Sequence, residues 1–343
     1  MGTRRRRVSV KSDRSKLDKW DDLRMQVFNN PIPNEIKVAA KALKDGNLVA
    51  FPTETVYGLG ADATNEKAVG RIYSSKGRPL DHPLIVHISS IDLMNEWAID
   101  IPAYASKLAE EFWPGPMTLI VKRSYFAKDF ITGGQDNVGL RVPAHPVAMA
   151  LLKRFNEIGG LGIAAPSANR FGAVSPTTAA AVGEELGEYL GLDDLILNGD
   201  QCQIGIESTI IDCTKDNPTI LRPGAITLQM VKSTVSIDVI FDQTIGVVKT
   251  SGLFNAHYSP RAKVLLNEVA VPGDGLLAMR NVPTPTGVIR LASPKTIEQY
   301  AKVLYEAFRS ADQKGVKRII VIPPAGDGLA VGLRDRITKA SAG

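Results

Sequence analysis

The sequence predicts an α/β protein in which a mixed, twisted sheet with flanking helices is followed by a small Rossmann-like βαβα domain. Three observations predict it. Short apolar runs alternate with segments of helical periodicity. Many of the runs are joined by Pro/Gly turns, which favours a mixed sheet over a regular doubly wound one. The chain has 343 residues, more than the roughly 100 to 200 of a typical single domain.

The first domain begins after a turn-rich stretch that contains Pro31 and Pro33. A helix is expected at 34–44, because apolar residues recur at helical spacing and Asp45-Gly46 follows it. A buried strand at 48–51 leads into Pro52. Further strands are expected at 84–88, 117–122, 139–142, 163–165, 195–197, 208–212 and 219–221. Further helices are expected at 66–74, 103–112, 146–155 and 177–186.

The C-terminal part has a different composition from the first domain. Residues 243–261 carry Gly, Ser, Asn and Pro with little periodicity, as linkers do. Strands are then expected at 263–266, 287–291 and 318–322, with a helix beginning near Ser293-Pro294 and a last helix at 329–339. The predicted organisation is a disordered basic leader at 1–30, a catalytic domain at 31–235, a linker at 236–262 and a C-terminal domain at 263–343.

The leader explains part of the basic character of the chain. The net charge is +5, and Arg4 to Arg7, Lys11, Arg14 and Lys16 lie within the first twenty positions. No apolar segment follows this basic run, so it does not resemble a signal peptide. Either a solvated tail or a segment that contacts RNA or directs targeting fits this pattern.

Several classes of protein are excluded by the sequence. No apolar stretch approaches the roughly 18 residues of a membrane-spanning helix. Cys202 and Cys213 match neither a redox pair nor a zinc spacing, and their use fits a reducing compartment. The four histidines lack the spacing of a metal-binding helix. A P-loop is absent, because the chain contains no GxxxxGK[ST] motif.

Four segments combine turn residues with polar side chains beside expected strands. They are FPTETVYGLG (51–60), KGRP (76–79), PSAN (166–169) and GIEST (205–209), the last trailed by LRPG (221–224). Lys76, Arg78 and Arg222 have the charge and hydrogen-bonding capacity that would neutralise a nucleoside triphosphate. Ser167 and Asn169 could position its remaining oxygens, as in nucleotidyl-transfer sites that depend on electrostatics and positioning.

Each of these residues also has a purely structural interpretation. Lys76 before Gly77 is typical of a helix C-terminus. Ser167 and Asn169 could form a turn or an N-cap. His87 lies on the same face of the expected strand 84–88 as Ile85, so it could be a half-buried strand residue. Thr55 could pack against the sheet.

Two other motifs in the chain resemble those of unrelated enzyme classes. GLGADA (58–63) matches the loose GxGxxA form of a dinucleotide fingerprint, with Asp81 about twenty residues on. The Lys76-Gly77-Arg78 segment interrupts the stretch that should hold the second strand of such a domain. Ser167-Ala168-Asn169 resembles an element of penicillin-binding enzymes, but the chain has no SxxK pair.

Taken together, the motifs resemble those of the YrdC/Sua5 family in its long form, with an N-terminal YrdC-like domain and a C-terminal Sua5-type domain. The resemblance extends from about Pro33 to Lys339. The motifs that carry it are PTETVYGLG, KGRPLDHPLIVHI, FWPGPMTLI, VGLRVPAHPV, PSAN followed by SPT, GIESTI, LRPG and the HYSP of the linker.

The resemblance implies specific site residues. A KxR…SxN tetrad would surround ATP and threonine, and it falls on Lys76, Arg78, Ser167 and Asn169. The implied threonine-binding residues are Thr55, His87, Arg141, Ser167 and Ser208. The implied ATP-binding residues are Arg78, His82, Asn137, Asn169, Thr177 and Arg222, with Tyr258 of the linker as a lid over the nucleotide.

The resemblance also implies a reaction, namely synthesis of threonylcarbamoyl-AMP and pyrophosphate from L-threonine, bicarbonate or CO2 and ATP for tRNA t6A modification. Mg2+ would enter with ATP, and no metal cage of protein side chains is expected. The expected partners are downstream tRNA threonylcarbamoyl-transfer enzymes, with weak RNA binding and a cytoplasmic location. Two alternatives remain: an RNA-binding or ribosome-associated module, and a carbamoyl-adenylating enzyme with a different donor.

Overall fold

A computed structural model describes residues 26–241 and 257–343 of the chain, and these residues form two β-sheets with flanking helices. The strands of the first sheet are β1 Gln26–Asn29, β2 Val49–Phe51, β3 Gly58–Asp62, β4 Ile85–His87, β5 Met117–Lys122, β6 Asn137–Arg141, β7 Ile163–Ala164, β8 Leu195–Asn198, β9 Thr209–Asp212, β10 Thr219–Arg222 and β11 Ile240–Phe241. The helices of this part are α1 Pro33–Lys44, α2 Glu66–Lys76, α3 Met94–Trp97, α4 Ala103–Phe112, α5 Asp129–Thr132, α6 Pro146–Glu157, α7 Ala179–Leu186 and α8 Leu228–Thr234.

The eleven strands of the first sheet follow the order β1-β8-β2-β3-β7-β4-β6-β5-β9-β10-β11. Parallel and antiparallel pairs are mixed: β4 and β6 run parallel, whereas β7 is antiparallel to both β3 and β4. The mixed sheet predicted from the Pro/Gly turns is therefore confirmed. Most of the central strands are buried on both faces, and for that reason they are apolar runs rather than alternating ones.

Two ordered strands lie in segments that were expected to be irregular. Residues 26–29 belong to the stretch expected to be a disordered leader, but they form β1, which pairs in parallel with β8. Phe28 is buried in the cluster that contains Ile36 and Leu197, and this apolar contact fixes the strand. Residues 1–25 of the expected leader lie outside the described residues, as do residues 242–256 of the expected linker. Within that linker, β11 extends the sheet beside β10.

The C-terminal part contains a four-stranded, wholly parallel sheet. Its strands are β12 Lys263–Leu266, β13 Gly275–Leu277, β14 Ile289–Ala292 and β15 Arg318–Val321, in the order β12-β15-β13-β14, and its helices are α9 Ile297–Gln313 and α10 Leu329–Ser341. The prediction of a βαβα unit missed β13. This strand has only three residues, two of them the identical pair Leu276-Leu277, so it shows no periodicity that a sequence pattern could detect.

The two parts are packed against each other through α9 and α10. A Cβ atom built on Gly205 would lie 2.5 Å from the Ala301 carbonyl oxygen of α9, and one built on Gly332 of α10 would lie 3.2 Å from the Cα of Gly224. Glycine permits this close approach of backbones because it has no side chain. Both helices therefore lie directly on the segments 205–208 and 222–224 of the first part.

None of the helices in the described ranges has the length and apolar character needed to cross a bilayer.

Candidate active site

The four motif segments meet at one cavity, although they are separated by up to about 170 positions in the chain. Its wall combines cationic, hydroxyl, amide and aromatic groups. The lining residues are Thr53, Thr55, Val56, Tyr57, Gly58, Lys76, Arg78, Ile85, His87, Arg141, Ala165, Pro166, Ser167, Asn169, Phe171, Glu207, Ser208, Arg222, His257 and Tyr258.

The order of the strands explains why these segments converge. His87 and Arg141 are the last residues of the parallel neighbours β4 and β6, and they are register partners. Ser167 follows β7 and bridges Gly58 at the start of β3. Ser208 precedes β9 and Arg222 ends β10, and these strands are antiparallel. His87, Arg141, Ser208 and Arg222 therefore lie toward one edge of the sheet. Ser167 lies toward the other edge, because β7 is antiparallel to β4, and the cavity extends between them.

Lys76 is the last residue of α2 and is almost fully buried. Its Nζ donates a hydrogen bond to the Ser167 carbonyl oxygen at 2.6 Å and a second one to the Asn169 carbonyl oxygen. Burial, and then the neighbouring charge of Arg78, hold the pKa of Lys76 well below its usual value. The lysine thus links α2 to the PSAN segment and has no carboxylate within ion-pairing distance in the described structure.

Arg78 follows the left-handed Gly77 that ends α2. Its Nη2 donates to the Pro83 carbonyl oxygen at 3.0 Å, and its guanidinium lies 5.9 Å from the ring centre of Phe171. Burial lowers the pKa of Arg78 to about 10. Both members of the KxR pair are therefore desolvated cations, an arrangement that favours binding of an anion.

Arg222 connects the two segments on the other side of the cavity. Its Nε donates to the Ser208 carbonyl oxygen at 3.0 Å, and its Nη2 lies 3.1 Å from Ser208 Oγ. Ser208 Oγ also lies 2.8 Å from Thr118 Oγ1 of β5. Burial lowers the pKa of Arg222. Ser208 and Arg222 therefore act as one hydrogen-bonded unit.

A smaller polar group surrounds Arg141. Its Nη1 donates to Thr55 Oγ1 at 3.0 Å and its Nη2 to Glu54 Oε1 at 2.6 Å. His87 lies beside it in register, and burial followed by the charge of Arg141 lowers the pKa of His87 to about 3. The imidazole is therefore neutral at physiological pH.

Four buried polar atoms of residues that line the cavity have no hydrogen-bond partner. They are His87 Nδ1, His257 Nδ1, Asn169 Oδ1 and the Tyr258 hydroxyl. The Asn169 amide nitrogen is engaged, since it donates to the Arg170 and Ala173 carbonyl oxygens. Because buried polar groups are nearly always satisfied, these four atoms are candidates for contact with a ligand.

Three residues expected at the ATP site do not line the cavity. The His82 ring packs against Phe171, with ring centres 5.2 Å apart. Phe171 lines the cavity, whereas His82 does not. Asn137 opens β6, at the end of the strand opposite Arg141. Thr177 is buried, and its carbonyl oxygen accepts a hydrogen bond from the Cys202 amide. Their proposed contacts with ATP depend on the resemblance alone.

Sequence reasoning did not single out four residues that the structure places at the cavity or directly behind it. Glu54, Phe171, Glu207 and His257 lie within or next to the quoted motifs. The sequence does contain a signal for Glu54 and Glu207. Each is an acidic residue flanked by apolar or hydroxyl residues, and each lies shortly before a buried strand. A carboxylate there must have a buried cationic partner.

In 26–241 and 257–343, no group of three His, Cys, Asp or Glu side chains is placed to hold a metal ion. Glu207, the acidic residue that lines the cavity, already accepts hydrogen bonds from Ser175, Tyr305 and Arg336. A cage made of protein side chains therefore does not fit the donor groups of this part of the chain.

The fold and the cavity define an α/β protein of two parts whose site is formed from the YrdC-type motifs. Residues 41–224 match the family model Sua5_yciO_yrdC, described as telomere recombination, and residues 226–342 match the model described as threonylcarbamoyl-AMP synthase, C-terminal domain. The chain therefore belongs to the Sua5/YciO/YrdC family and carries its Sua5-type C-terminal domain. The resemblance drawn from the motifs is confirmed.

Relatives along the whole chain agree with this assignment. A threonylcarbamoyl-AMP synthase of Pyrococcus abyssi is 38% identical over 326 residues, covering 90% of this chain and 94% of the relative. A protein of the same name from Bacillus subtilis is 36% identical, covering 97% of this chain and 99% of the relative. The crystal structure of P. abyssi Sua5 complexed with L-threonine superimposes with a TM-score of 0.83 at 35% identity, covering 92% of this chain and 97% of that one.

Proposed function

We propose that this protein is an L-threonylcarbamoyladenylate synthase, a nucleotidyltransferase that forms threonylcarbamoyl-AMP and pyrophosphate from L-threonine, bicarbonate or CO2 and ATP for tRNA t6A modification. One observation carries the proposal. Lys76, Arg78, Asn169 and Arg222, which are distant in sequence, line a single cavity together with the Thr55, His87, Arg141 and Ser208 group.

The cationic group is the proposed ATP site. A triphosphate brings about four negative charges, and desolvated lysine and arginine side chains stabilise them more strongly than exposed ones do. Arg78 and Arg222 can offer paired donors, whereas Lys76 contributes a point charge. Tyr258 would cover the nucleotide, since its unpartnered hydroxyl belongs to the same wall.

The group around Arg141 is the proposed threonine site. A guanidinium suits the carboxylate of an amino acid, and Thr55 and Ser208 offer hydroxyl groups to its polar atoms. The low pKa of His87 keeps its imidazole uncharged, so it can accept a hydrogen bond as well as donate one. A site built on directed polar contacts would also discriminate against amino acids without a hydroxyl group.

In the proposed reaction, the threonine site and the ATP site would hold the two substrates next to each other. The threonine amine captures CO2 to give a carbamate with loss of one proton, and a carbamate oxygen then bonds to the α-phosphorus of ATP. The bond from that phosphorus to the bridging oxygen breaks, and pyrophosphate leaves with its electron pair. The protein contributes positioning and electrostatic stabilisation of the phosphate charge. Enclosure of the cavity would protect the mixed anhydride from water.

Mg2+ is part of this proposal only as a companion of ATP. Since the described residues offer no metal cage, its ligands would be chiefly phosphate oxygens and water. A cytoplasmic location is also proposed, and it fits two cysteines that are buried and not disulfide-bonded.

The test is a pyrophosphate-release assay with ATP, bicarbonate and each amino acid in turn. We expect turnover that depends on threonine and is lost in Lys76→Ala and in Arg78→Ala. Arg154→Ala is the matched control, because Arg154 pairs with Glu157 on the surface of α6 and does not line the cavity. Equal turnover without any amino acid would refute the proposal.

A further inference from the structure

A buried arginine of the C-terminal domain contacts the wall of the cavity. Arg336 of α10 has no solvent-exposed side-chain surface. Its Nε donates to Glu207 Oε2 at 2.8 Å, and its Nη2 donates to the Glu207 carbonyl oxygen at 3.2 Å. Its Nη1 donates to the Pro223 carbonyl oxygen at 2.8 Å. One guanidinium thus holds two segments of the first domain at once.

These two segments carry Ser208 and Arg222. Glu207 directly precedes Ser208, and Pro223 directly follows Arg222. The segments are also joined to each other, because Arg222 donates to the carbonyl and hydroxyl oxygens of Ser208. A shift of either segment would therefore move both side chains at the cavity.

Glu207 is fixed from both domains. Its carboxylate accepts hydrogen bonds from Ser175 Oγ at 2.7 Å in the first domain, and from the Tyr305 hydroxyl at 2.9 Å and Arg336 in the C-terminal domain. Although burial raises the pKa of Glu207, the charges of Arg336 and Arg222 outweigh it and hold the pKa at about 2. The carboxylate is therefore charged, and each of its oxygens has a partner.

From this geometry we propose that Arg336 is a positioning residue: acting through Glu207 and Pro223, it sets the placement of Ser208 and Arg222 for threonine and ATP. The inference rests on the proposed function. It assigns to the C-terminal domain an indirect part in the catalytic geometry, because Arg336 belongs to α10 and does not line the cavity.

Arg336→Lys is the first test variant. Lysine keeps the charge, but its single ammonium cannot reproduce a planar fork that reaches two backbone segments. The matched control is Arg290→Lys. Arg290 also holds several carbonyl oxygens, those of Ala278, Met279, Val282 and Ala292, and all its contacts are within the C-terminal domain.

Steady-state pyrophosphate release is measured with threonine and ATP varied separately, at a temperature where circular dichroism shows each variant to be folded. We expect Arg336→Lys to lower kcat/KM for both substrates by about tenfold or more, since small displacements of positioning groups have effects of this size. Arg290→Lys should lower Tm and leave kcat/KM within about twofold, as expected of a site remote from the chemistry. Equal losses of kcat/KM in the two variants would overturn the inference.

A second variant covers the case in which Arg336→Lys does not fold. Tyr305→Phe removes only the hydroxyl that binds Glu207 and leaves the ring packed against Tyr258. It should raise KM for ATP or threonine by a few-fold, in line with loss of one hydrogen bond to a charged group, and wild-type kinetics in it would overturn the inference. Absence of threonine-dependent turnover in the wild-type protein would instead refute the proposed function.

Discussion

Arg141 and Glu54 form a buried ion pair at the cavity, with Arg141 Nη2 and Glu54 Oε1 2.6 Å apart and only 5% of each side chain exposed. The second carboxylate oxygen of Glu54 accepts a hydrogen bond from the Ala144 amide at 3.0 Å. The proposed carboxylate-binding guanidinium is therefore already oriented by an acidic residue before an amino acid enters. Hydrogen bonds from neighbouring residues of this kind hold a binding side chain in the orientation that binding needs.

This pair gives the first prediction. Glu54→Gln should raise KM for threonine by about tenfold, because the Arg141 guanidinium loses its charged partner and the Ala144 amide loses its acceptor. Pyrophosphate release at varied threonine measures the effect. Asp194→Asn is the control, since the buried Asp194 carboxylate pairs with the partly exposed Arg71 at 2.6 Å outside the cavity. That variant should lose stability and keep its KM; a raised KM in both variants would contradict the prediction.

The second prediction concerns proton uptake at Lys76. Its pKa is depressed by burial and then by Arg78, so we expect Lys76 in the empty cavity to lose its proton more readily than an exposed lysine. A bound triphosphate favours the charged form and raises that pKa, and a proton must then be taken up on binding. Calorimetry of ATP binding at pH 8 in buffers of different ionisation enthalpy should show uptake in the wild type. Lys76→Arg, which stays charged, should show none.

A wild-type protein that binds ATP without proton uptake would show that Lys76 is already charged in the empty cavity. The prediction would then be wrong, although the ATP site itself would stand.

Much of the catalytic domain was predictable from the sequence because its helices end at recognisable signals. Asp45-Gly46 marks the end of α1, and Gly77 takes the left-handed conformation that ends α2. The strands at 117–122 and 263–266 were placed at their observed bounds. The strands β13 and β1 were missed, since β13 has only the residues Gly275-Leu276-Leu277 and β1 lies directly before the turn-rich stretch that contains Pro31 and Pro33.

The convergence of the site was predictable only through the resemblance. Spacing alone favours the interpretation of Lys76 as a helix end, and the structure shows that Lys76 does end a helix. The order of the sheet brings Ser208 and Arg222 together, and no local pattern encodes that order. The contact of Arg336 with Glu207 links residues 129 positions apart, which lies beyond any argument from local periodicity.

The third prediction concerns Tyr258. Its hydroxyl is buried without a hydrogen-bond partner, and its ring stacks on Tyr305 with ring centres 5.7 Å apart. Tyr258→Phe therefore removes an unsatisfied group and should leave Tm unchanged or slightly higher. If the hydroxyl contacts the bound nucleotide, KM for ATP should rise by a few-fold, the value of one hydrogen bond. Thermal unfolding and ATP kinetics on the same sample separate the two effects, and an unchanged KM would remove Tyr258 from the ATP site.

The last prediction is a loss of stability in mild acid caused by two buried histidines. Burial, as the largest cause, lowers the pKa of both His87 and His257 from 6.5 to about 3. In the unfolded chain these imidazoles bind protons below about pH 6.5, whereas in the folded protein they remain neutral down to about pH 3. The unfolded state therefore binds more protons in that window, and the free energy of unfolding must fall as pH is lowered through it.

Between pH 7 and pH 5, each histidine should lower the free energy of unfolding by about 2 kcal/mol. The reason is that a proton bound only in the unfolded state changes this free energy by about 1.36 kcal/mol for each pH unit. Urea unfolding at pH 7 and pH 5 measures the loss. His87→Gln cannot be protonated, so this variant should lose about 2 kcal/mol less than the wild type between the two pH values, whatever its stability at pH 7. His145→Gln is the comparison, because burial also lowers the pKa of His145, which lies outside the cavity. An identical pH dependence in the wild type and in His87→Gln would mean that His87 is protonated in the folded protein, and its proposed role as a neutral hydrogen-bonding group in the threonine site would be wrong.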